Sequence, residues 1–152
     1  MRGVYTAEHD IAVTGVETLM LLEVPSDMAL EILGASITNQ DVDTSEQLHC
    51  GLYRVNSIGA PSGTEVTPQK HENGDVASTV TATAHLETEP DTYDTLAFDQ
   101  QGFNNLAGYR YDPIPEERPV ISPSGAVGLR LLTAPSASHT LNMQVVFREI
   151  GG

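Results

Sequence analysis

The chain has 152 residues, a formal net charge of −14 and one cysteine. Its length suits one domain with its own core. An acidic surface repels phosphate, so we expect neither nucleic acid nor an anionic membrane as a partner. Cys50 can form neither a disulfide nor a thiolate metal cluster within one chain, and its position between Leu48 and Leu52 predicts a small buried side chain.

Apolar residues make up 39% of the sequence, aromatic residues only 5%, and tryptophan is absent. The core must therefore be built mainly from aliphatic residues and threonine, a composition that favours strands. No long helical period is present. The stretch MRGVYTAEHD has no apolar signal segment, and no apolar run approaches the length of a membrane span. We predict a protein that is made in a cytoplasm and is not anchored to a membrane.

Four strands are predicted in the first third of the chain. HDIAVTG and ETLMLLEV, within residues 4–24, are the first two, and LHCGLYRV is the fourth. The third, MALEILGASIT at residues 28–38, changes phase between Ile32 and Leu33, so as a strand it needs a bulge or burial on both faces. The alternative is a short helix that ends at Gly34. We prefer the strand because the neighbouring segments are strands.

The middle of the chain starts with NSIGAPSGTEVTPQKHENGDVA, a polar run that we predict to be a long connection. STVTATAHL alternates as a half-buried strand does, and YDTLAF is predicted to be a further short strand. The final stretch, AVGLRLLTAPSASHTLNMQVVFREIGG, contains two alternating runs around one loop. We expect an antiparallel hairpin there, with one of its strands central in a sheet.

A proline-rich segment at about residues 109–125 begins YRYDPIPEERPVISP. Because proline cannot donate a hydrogen bond to a neighbouring strand, this segment cannot be a central strand. We predict a stiff arm that docks on a neighbouring subunit or another protein. The side chains predicted to make this contact are Tyr109, Arg110, Tyr111, Ile114, Arg118 and Val120. The alternative is a loop that folds back over its own domain and covers a sheet edge.

Together these segments predict an all-β protein. We expect eight to ten short antiparallel strands in a single domain over residues 1–152, arranged as a β-sandwich of the jelly-roll kind.

Residues that could carry chemistry are few. Asp41, Asp43 and Glu46 could offer oxygen ligands to a cation, although a solvated acidic turn is the simpler interpretation. His71, with acidic neighbours, could also bind a metal at the surface, although an ordinary loop histidine is the simpler interpretation. The sequence has no glycine-rich nucleotide motif, and GAPSGT has the wrong glycine spacing for a nucleophile elbow. We therefore predict no catalytic residue, no cofactor and no metal site, and expect that the protein is not an enzyme.

Three stretches taken together carry a resemblance to a known class of protein. LEILGASITNQDVDTSEQLHCGLYRV, TEVTPQKHENGDVASTVTATA and ISPSGAVGLRLLTAPSASHTLNMQVVFREI resemble small structural proteins of tailed bacteriophages, in particular capsid decoration or cement proteins. The resemblance implies a β-rich homotrimer on the exterior of the virion, bound to the major capsid protein. A stiff arm suits such a protein because it loses little entropy on docking.

A carbohydrate- or receptor-binding β-sandwich of a phage fibre or tail is the alternative function. Such sites usually present exposed aromatic rings to a sugar. The candidates are Tyr93, Tyr109 and Tyr111, with Asp112 nearby. The absence of tryptophan makes this alternative less favoured.

Overall fold

The computed structural model describes residues 3–42 and 44–151. Over these residues the chain forms thirteen strands, one 3-10 turn at Pro115–Glu117 and no α-helix, so the predicted all-β class is confirmed. The strands outnumber the eight to ten predicted because several have only two or three residues. They are β1 Val4–Val13, β2 Glu17–Glu23, β3 Met28–Asn39, β4 Gln47–Ser57, β5 Ser62–Val66, β6 Gln69–Lys70, β7 Thr81–Thr88, β8 Thr92–Tyr93, β9 Asp99–Asn104, β10 Tyr109–Tyr111, β11 Val120–Ile121, β12 Ala126–Leu131 and β13 His139–Gly151.

The strands form two antiparallel sheets. The first sheet has the order β10-β3-β13-β1-β6, and β11 also pairs with β3. The second sheet has the order β5-β7-β2-β12-β4-β8, and β9 also pairs with β4. Buried apolar side chains from both sheets form one core cluster, in which the rings of Tyr5 and Phe147 stack with centroids 5.7 Å apart. The predicted β-sandwich is therefore confirmed.

Eight of the strands follow the jelly-roll order. Numbered along the chain, these eight strands are β1, β2, β3, β4, β9, β10, β12 and β13. In the first sheet β10, β3, β13 and β1 lie side by side, and they are the sixth, third, eighth and first of the eight. In the second sheet β2, β12, β4 and β9 lie side by side, and they are the second, seventh, fourth and fifth. This is the arrangement of a jelly roll. The other strands are additions, of which β5 and β7 extend the second sheet beyond β2.

The predicted C-terminal hairpin is wrong. β12 lies between β2 and β4 in the second sheet, whereas β13 lies between β1 and β3 in the first. Residues 132–138 therefore cross from one sheet to the other. Both strands are central in their sheets. In both, every second side chain is apolar and lies in the same core, so the strands and their buried faces were predicted correctly. Periodicity alone does not distinguish a hairpin from a crossing between facing sheets.

The strand predicted at residues 28–38 is confirmed as β3. Its pairing with β13 passes from Val146 opposite Gly34 to Phe147 opposite Ile32, so Leu33 is the extra residue of a bulge. The phase change at this point in the sequence therefore marks the bulge, and the helical alternative is excluded.

Two predictions for the middle of the chain are corrected. The polar run over residues 56–77 contains β5 and β6, which are mostly exposed and so lack an alternating pattern. YDTLAF, residues 93–98, is mainly a turn between β8 and β9, and its Leu96 is exposed.

Two other predictions are confirmed. STVTATAHL contains β7, and Val80, Ala82 and Ala84 are buried as expected. Cys50 is also buried as predicted, and burial raises the pKa of its thiol to about 12.

Candidate functional site

The proline-rich segment lies along the edge of its own first sheet. Its strand β10 pairs with residues 35–37 of β3, and β11 pairs with Leu30 and Glu31. Between these strands, the backbone N–H of Ile32 donates to the carbonyl oxygen of Pro119 at 2.9 Å. The segment thus covers the edge of β3, which is the geometry of the alternative interpretation. The contact with another protein stays a prediction that concerns the segment's outward side chains.

Two of the six predicted contact residues belong to the domain's own packing. Tyr109 is only 2% exposed, and its hydroxyl donates to Asp99 Oδ2 at 2.8 Å. Burial, with further contributions from Asp99, raises the pKa of this phenol well above its usual range. Tyr111 is half-buried and packs against the core cluster. Neither ring forms an open aromatic surface.

The other four predicted residues reach solvent to different degrees. Ile114 is 57% exposed and Val120 is 48% exposed. Arg110 is exposed and forms an ion pair with Asp112. Arg118 is half-buried, and its Nε atom is buried without a hydrogen-bond partner in the part of the chain that is described. The structure therefore leaves Arg110, Ile114 and Val120 as the exposed contact groups of this segment.

The acidic turn between β3 and β4 contacts the link that precedes β13 and the first two residues of that strand. Asp41 Oδ2 accepts a hydrogen bond from the backbone N–H of Thr140 at 2.7 Å. Glu46 accepts one from the Ser136 hydroxyl at 2.7 Å and contacts Nε2 of the buried His139. These hydrogen bonds lower the pKa of both carboxyl groups. Asp43, the third predicted cation ligand, lies outside the described residues.

The histidines lie apart from one another. His71 is exposed, and its Nε2 is 2.7 Å from the Thr6 hydroxyl. His85 Nδ1 is 2.7 Å from Glu17 Oε2 at the margin of the second sheet. Over residues 3–42 and 44–151, no group of three or more His, Cys, Asp or Glu side chains is arranged to hold a metal ion.

The outer face of the second sheet carries a cleft that sequence reasoning missed. Gly128 and the side chain of Arg130 lie on the outer face of the sheet, because the residues that alternate with them on β12 are in the core. Over them lies the segment 89–95, which includes β8. The space between this segment, Tyr53 and Arg130 has a volume of about 490 Å³.

One wall of the cleft is an arginine held by two tyrosine rings. The guanidinium carbon of Arg130 lies 4.1 Å from the centroid of the Tyr93 ring and 4.9 Å from that of Tyr53. The two rings meet edge-on with centroids 6.2 Å apart. Cation–π attraction of this kind holds the guanidinium against the rings. Burial raises the pKa of Tyr93 to about 12, so its ring stays neutral.

A hydrogen-bond network holds the segment 89–95 in place. Glu89 Oε1 accepts from the backbone N–H of Thr18 at 2.6 Å, and its other oxygen accepts from the Thr18 hydroxyl. The same hydroxyl lies 2.5 Å from the Tyr93 hydroxyl. Because Thr18 is fully buried, the network fixes the wall of the cleft to β2.

Two glycines in the middle of strands make room for the tyrosines. A Cβ atom on Gly51 would lie 2.5 Å from Cε2 of Tyr53, and one on Gly128 would lie 2.7 Å from the Tyr93 hydroxyl oxygen. Glycine inside a strand often marks the close approach of another group. These glycines were the available signal in the sequence, but they do not reveal which side chains approach them.

Comparison with known proteins finds no matching family model, no similar curated protein and no similar solved structure. Over the residues that the structure describes, no helix is both long enough and apolar enough to cross a membrane.

Proposed function

We propose that the chain is a structural protein of a tailed bacteriophage particle, which decorates the exterior of the capsid as a homotrimer bound to the major capsid protein. Its sequence resembles that of small phage structural proteins. Jelly rolls occur in viral capsid proteins, although also in lectins and cupins, so the fold supports the proposal without being specific to it.

The observation that carries the proposal is the exposed side of the proline-rich segment. Its backbone is held by β10, by β11 and by the buried Pro113 and Pro119. Ile114 and Val120 nevertheless remain about half exposed. A surface that is already ordered loses little entropy on binding, and covering each of these side chains contributes about 1–3 kcal/mol. The net charge of −14 favours a contact with a locally basic surface of the capsid.

Copy number on purified particles tests the proposal. A decoration protein stays with the particles through density-gradient purification, in a number that matches the symmetry of the shell. A fibre or tail module, the alternative function, would be present in only a few copies. Light scattering of the free protein should give three times the chain mass of 16.3 kDa. Absence from particles would overturn the proposal.

The double variant Ile114→Asp/Val120→Asp tests the contact surface itself. We expect an unchanged melting temperature and a loss of particle binding, because the carboxylates would have to be desolvated in the interface. Val16→Asp is the matched control, since Val16 is also 57% exposed but lies in the β1–β2 turn. Equal binding by the double variant and the control would show that this surface is not the contact.

A further inference from the structure

We propose that the cleft formed by Tyr53, Tyr93 and Arg130 binds a neutral saccharide through neighbouring hydroxyl groups. The proposal does not depend on capsid binding, because the cleft lies on the outer face of the second sheet and the proline-rich segment lies at the edge of the first.

The first argument is the state of Arg130. Its guanidinium carbon lies over the rings of Tyr53 and Tyr93, but within the described chain the guanidinium forms no hydrogen bond and no ion pair. A guanidinium carries five N–H donors in one plane, arranged to bind two neighbouring oxygen atoms at once. The contacts with the two rings restrict the guanidinium in advance, so its donors meet a ligand at a lower entropic cost.

The second argument is the chemistry of the other residues that line the cleft. Asp94 lines the cleft, and its carboxylate accepts no hydrogen bond from the described residues, whereas its backbone N–H is fixed to the carbonyl oxygen of Arg54 at 2.9 Å. Thr92 and Thr95 line the same space. A ligand that fits must therefore offer acceptors to Arg130 and donors to Asp94. Adjacent hydroxyl groups of a sugar offer both.

The local charges disfavour an anion. Glu89, Asp91 and Asp94 line the cleft together with Arg130, so the net charge of the lining is negative and opposes the entry of an anion. A cation is disfavoured for different reasons. Arg130 already covers the aromatic faces on which a cation would stack, and Glu89 is committed to Thr18. A polyol needs no net charge and uses the groups that remain.

The size of the cleft is also appropriate. Its volume of about 490 Å³ lies within the range of about 300–1,000 Å³ typical of small-molecule sites. The wall is fixed by the bonds among Thr18, Glu89 and Tyr93. The site is therefore formed before a ligand arrives.

Calorimetric titration of the full chain tests the proposal. The probes are oligosaccharides of glucose, galactose and mannose, with a polyuronate oligosaccharide and trilysine as charged comparisons. We expect at least one neutral oligosaccharide to bind. Arg130→Lys and Asp94→Asn should each weaken that binding by roughly tenfold or more, because lysine cannot bind two neighbouring oxygen atoms in one plane and asparagine is an uncharged acceptor.

Arg148→Lys is the matched control, since Arg148 is an arginine beside the carboxylate of Glu31 on the other sheet. It should bind the sugar as the wild-type protein does. Thermal melting of each variant shows whether the fold is kept, and the two substitutions in the cleft act independently of each other. The proposal is overturned if no neutral oligosaccharide binds, if only polyuronate or trilysine binds, or if the folded cleft variants bind as well as the control.

Discussion

The outer faces of the two sheets differ, although their inner faces share one core. On the first sheet the outer face is polar: Asn142 Nδ2 donates to Glu8 at 2.6 Å and to Asp10 at 2.5 Å, and both carboxylates are exposed to water. On the second sheet four side chains form a separate buried cluster, against which Ile58 and Tyr93 pack. These four are Leu21, Val55, Leu86 and Ala126.

The difference shows how the sequence of a strand depends on whether one or both faces of its sheet are covered. β13, which is open to water on one face, alternates apolar and polar residues in LNMQV. β2, which is covered on both faces, contains the unbroken run LMLL, and all four residues are buried. A sheet covered on both sides needs apolar residues at successive positions. The outer cluster therefore contributes to stability as the main core does.

Leu21→Ala tests this comparison with the largest expected effect. Leu21 is fully buried on the outer side of the second sheet. Its truncation leaves a cavity, and we expect a loss of about 2–5 kcal/mol in the free energy of unfolding, measured by urea denaturation.

Gln144→Ala is the counterpart on the open face, where Gln144 is half-buried on β13. Its Nε2 donates to Asn142 Oδ1 at 3.2 Å, so the substitution should lower the free energy of unfolding by no more than about 1 kcal/mol. If both variants lose the same amount, the two outer faces do not differ as their burial indicates.

Gly128→Ala tests whether Gly128 is needed because Tyr93 approaches it closely, and not because of the general preference of strands for one residue over another. The added Cβ would lie 2.7 Å from the Tyr93 hydroxyl oxygen and 2.9 Å from its Cε1, so the ring must move away from Thr18. We expect a loss of about 1–3 kcal/mol in stability, as for other overpacked sites. Thermal denaturation, with the near-UV circular dichroism of the tyrosines, measures both the loss and the displaced ring.

Gly102→Ala provides the control for this substitution. Gly102 lies on β9, and a Cβ there meets only the Leu48 carbonyl oxygen, at 3.9 Å. No loss of stability is expected at this position. A loss at Gly102 equal to that at Gly128 would show that the cost comes from the strand backbone and not from Tyr93.

The sequence predicted what depends on local pattern. The phase change at Leu33 marked the bulge, the alternation in β7, β12 and β13 marked their buried faces, and Cys50 was placed correctly in the core. Contacts between distant segments were not predictable in this way. Whether β12 and β13 pair or face each other depends on strand order, and both arrangements bury the same side chains.

The candidate sites show the same limit more strongly. Tyr109 and Tyr53 have similar strand-like surroundings in the sequence, but Tyr109 bonds to Asp99 inside the sandwich and Tyr53 faces the cleft. Glu149 is another example, since it is fully buried and its Oε1 accepts hydrogen bonds from the Ser78 hydroxyl and the Thr79 backbone. Its partners are about seventy residues away in the chain.

The smallest expected effect is on the pH dependence of stability, which distinguishes a carboxyl group at the covered sheet from one at an open turn. Burial is the largest cause that raises the pKa of Glu17, at the start of β2, above its ordinary value of 4.5, with His85 partly opposing it. Hydrogen bonds from Ser136 and His139 lower the pKa of Glu46 below 4.5. The two groups should therefore respond to pH in opposite ways.

The sign follows from which state binds more protons. Glu46 stabilises the fold fully above pH 4.5, and this contribution is lost as the pH falls through its lowered pKa in the folded state. Glu17 has the opposite effect. Its ionisation destabilises the fold as the pH rises from 4.5 through the raised pKa of the folded state. In melting curves from about pH 7 to about pH 3, Glu46→Gln should therefore lower the melting temperature mainly at the neutral end and flatten its fall in acid. Glu17→Gln should raise the melting temperature at the neutral end relative to the acidic end. Parallel curves for the two variants would contradict the opposite pKa shifts, and with them the distinction between the covered sheet and the open turn.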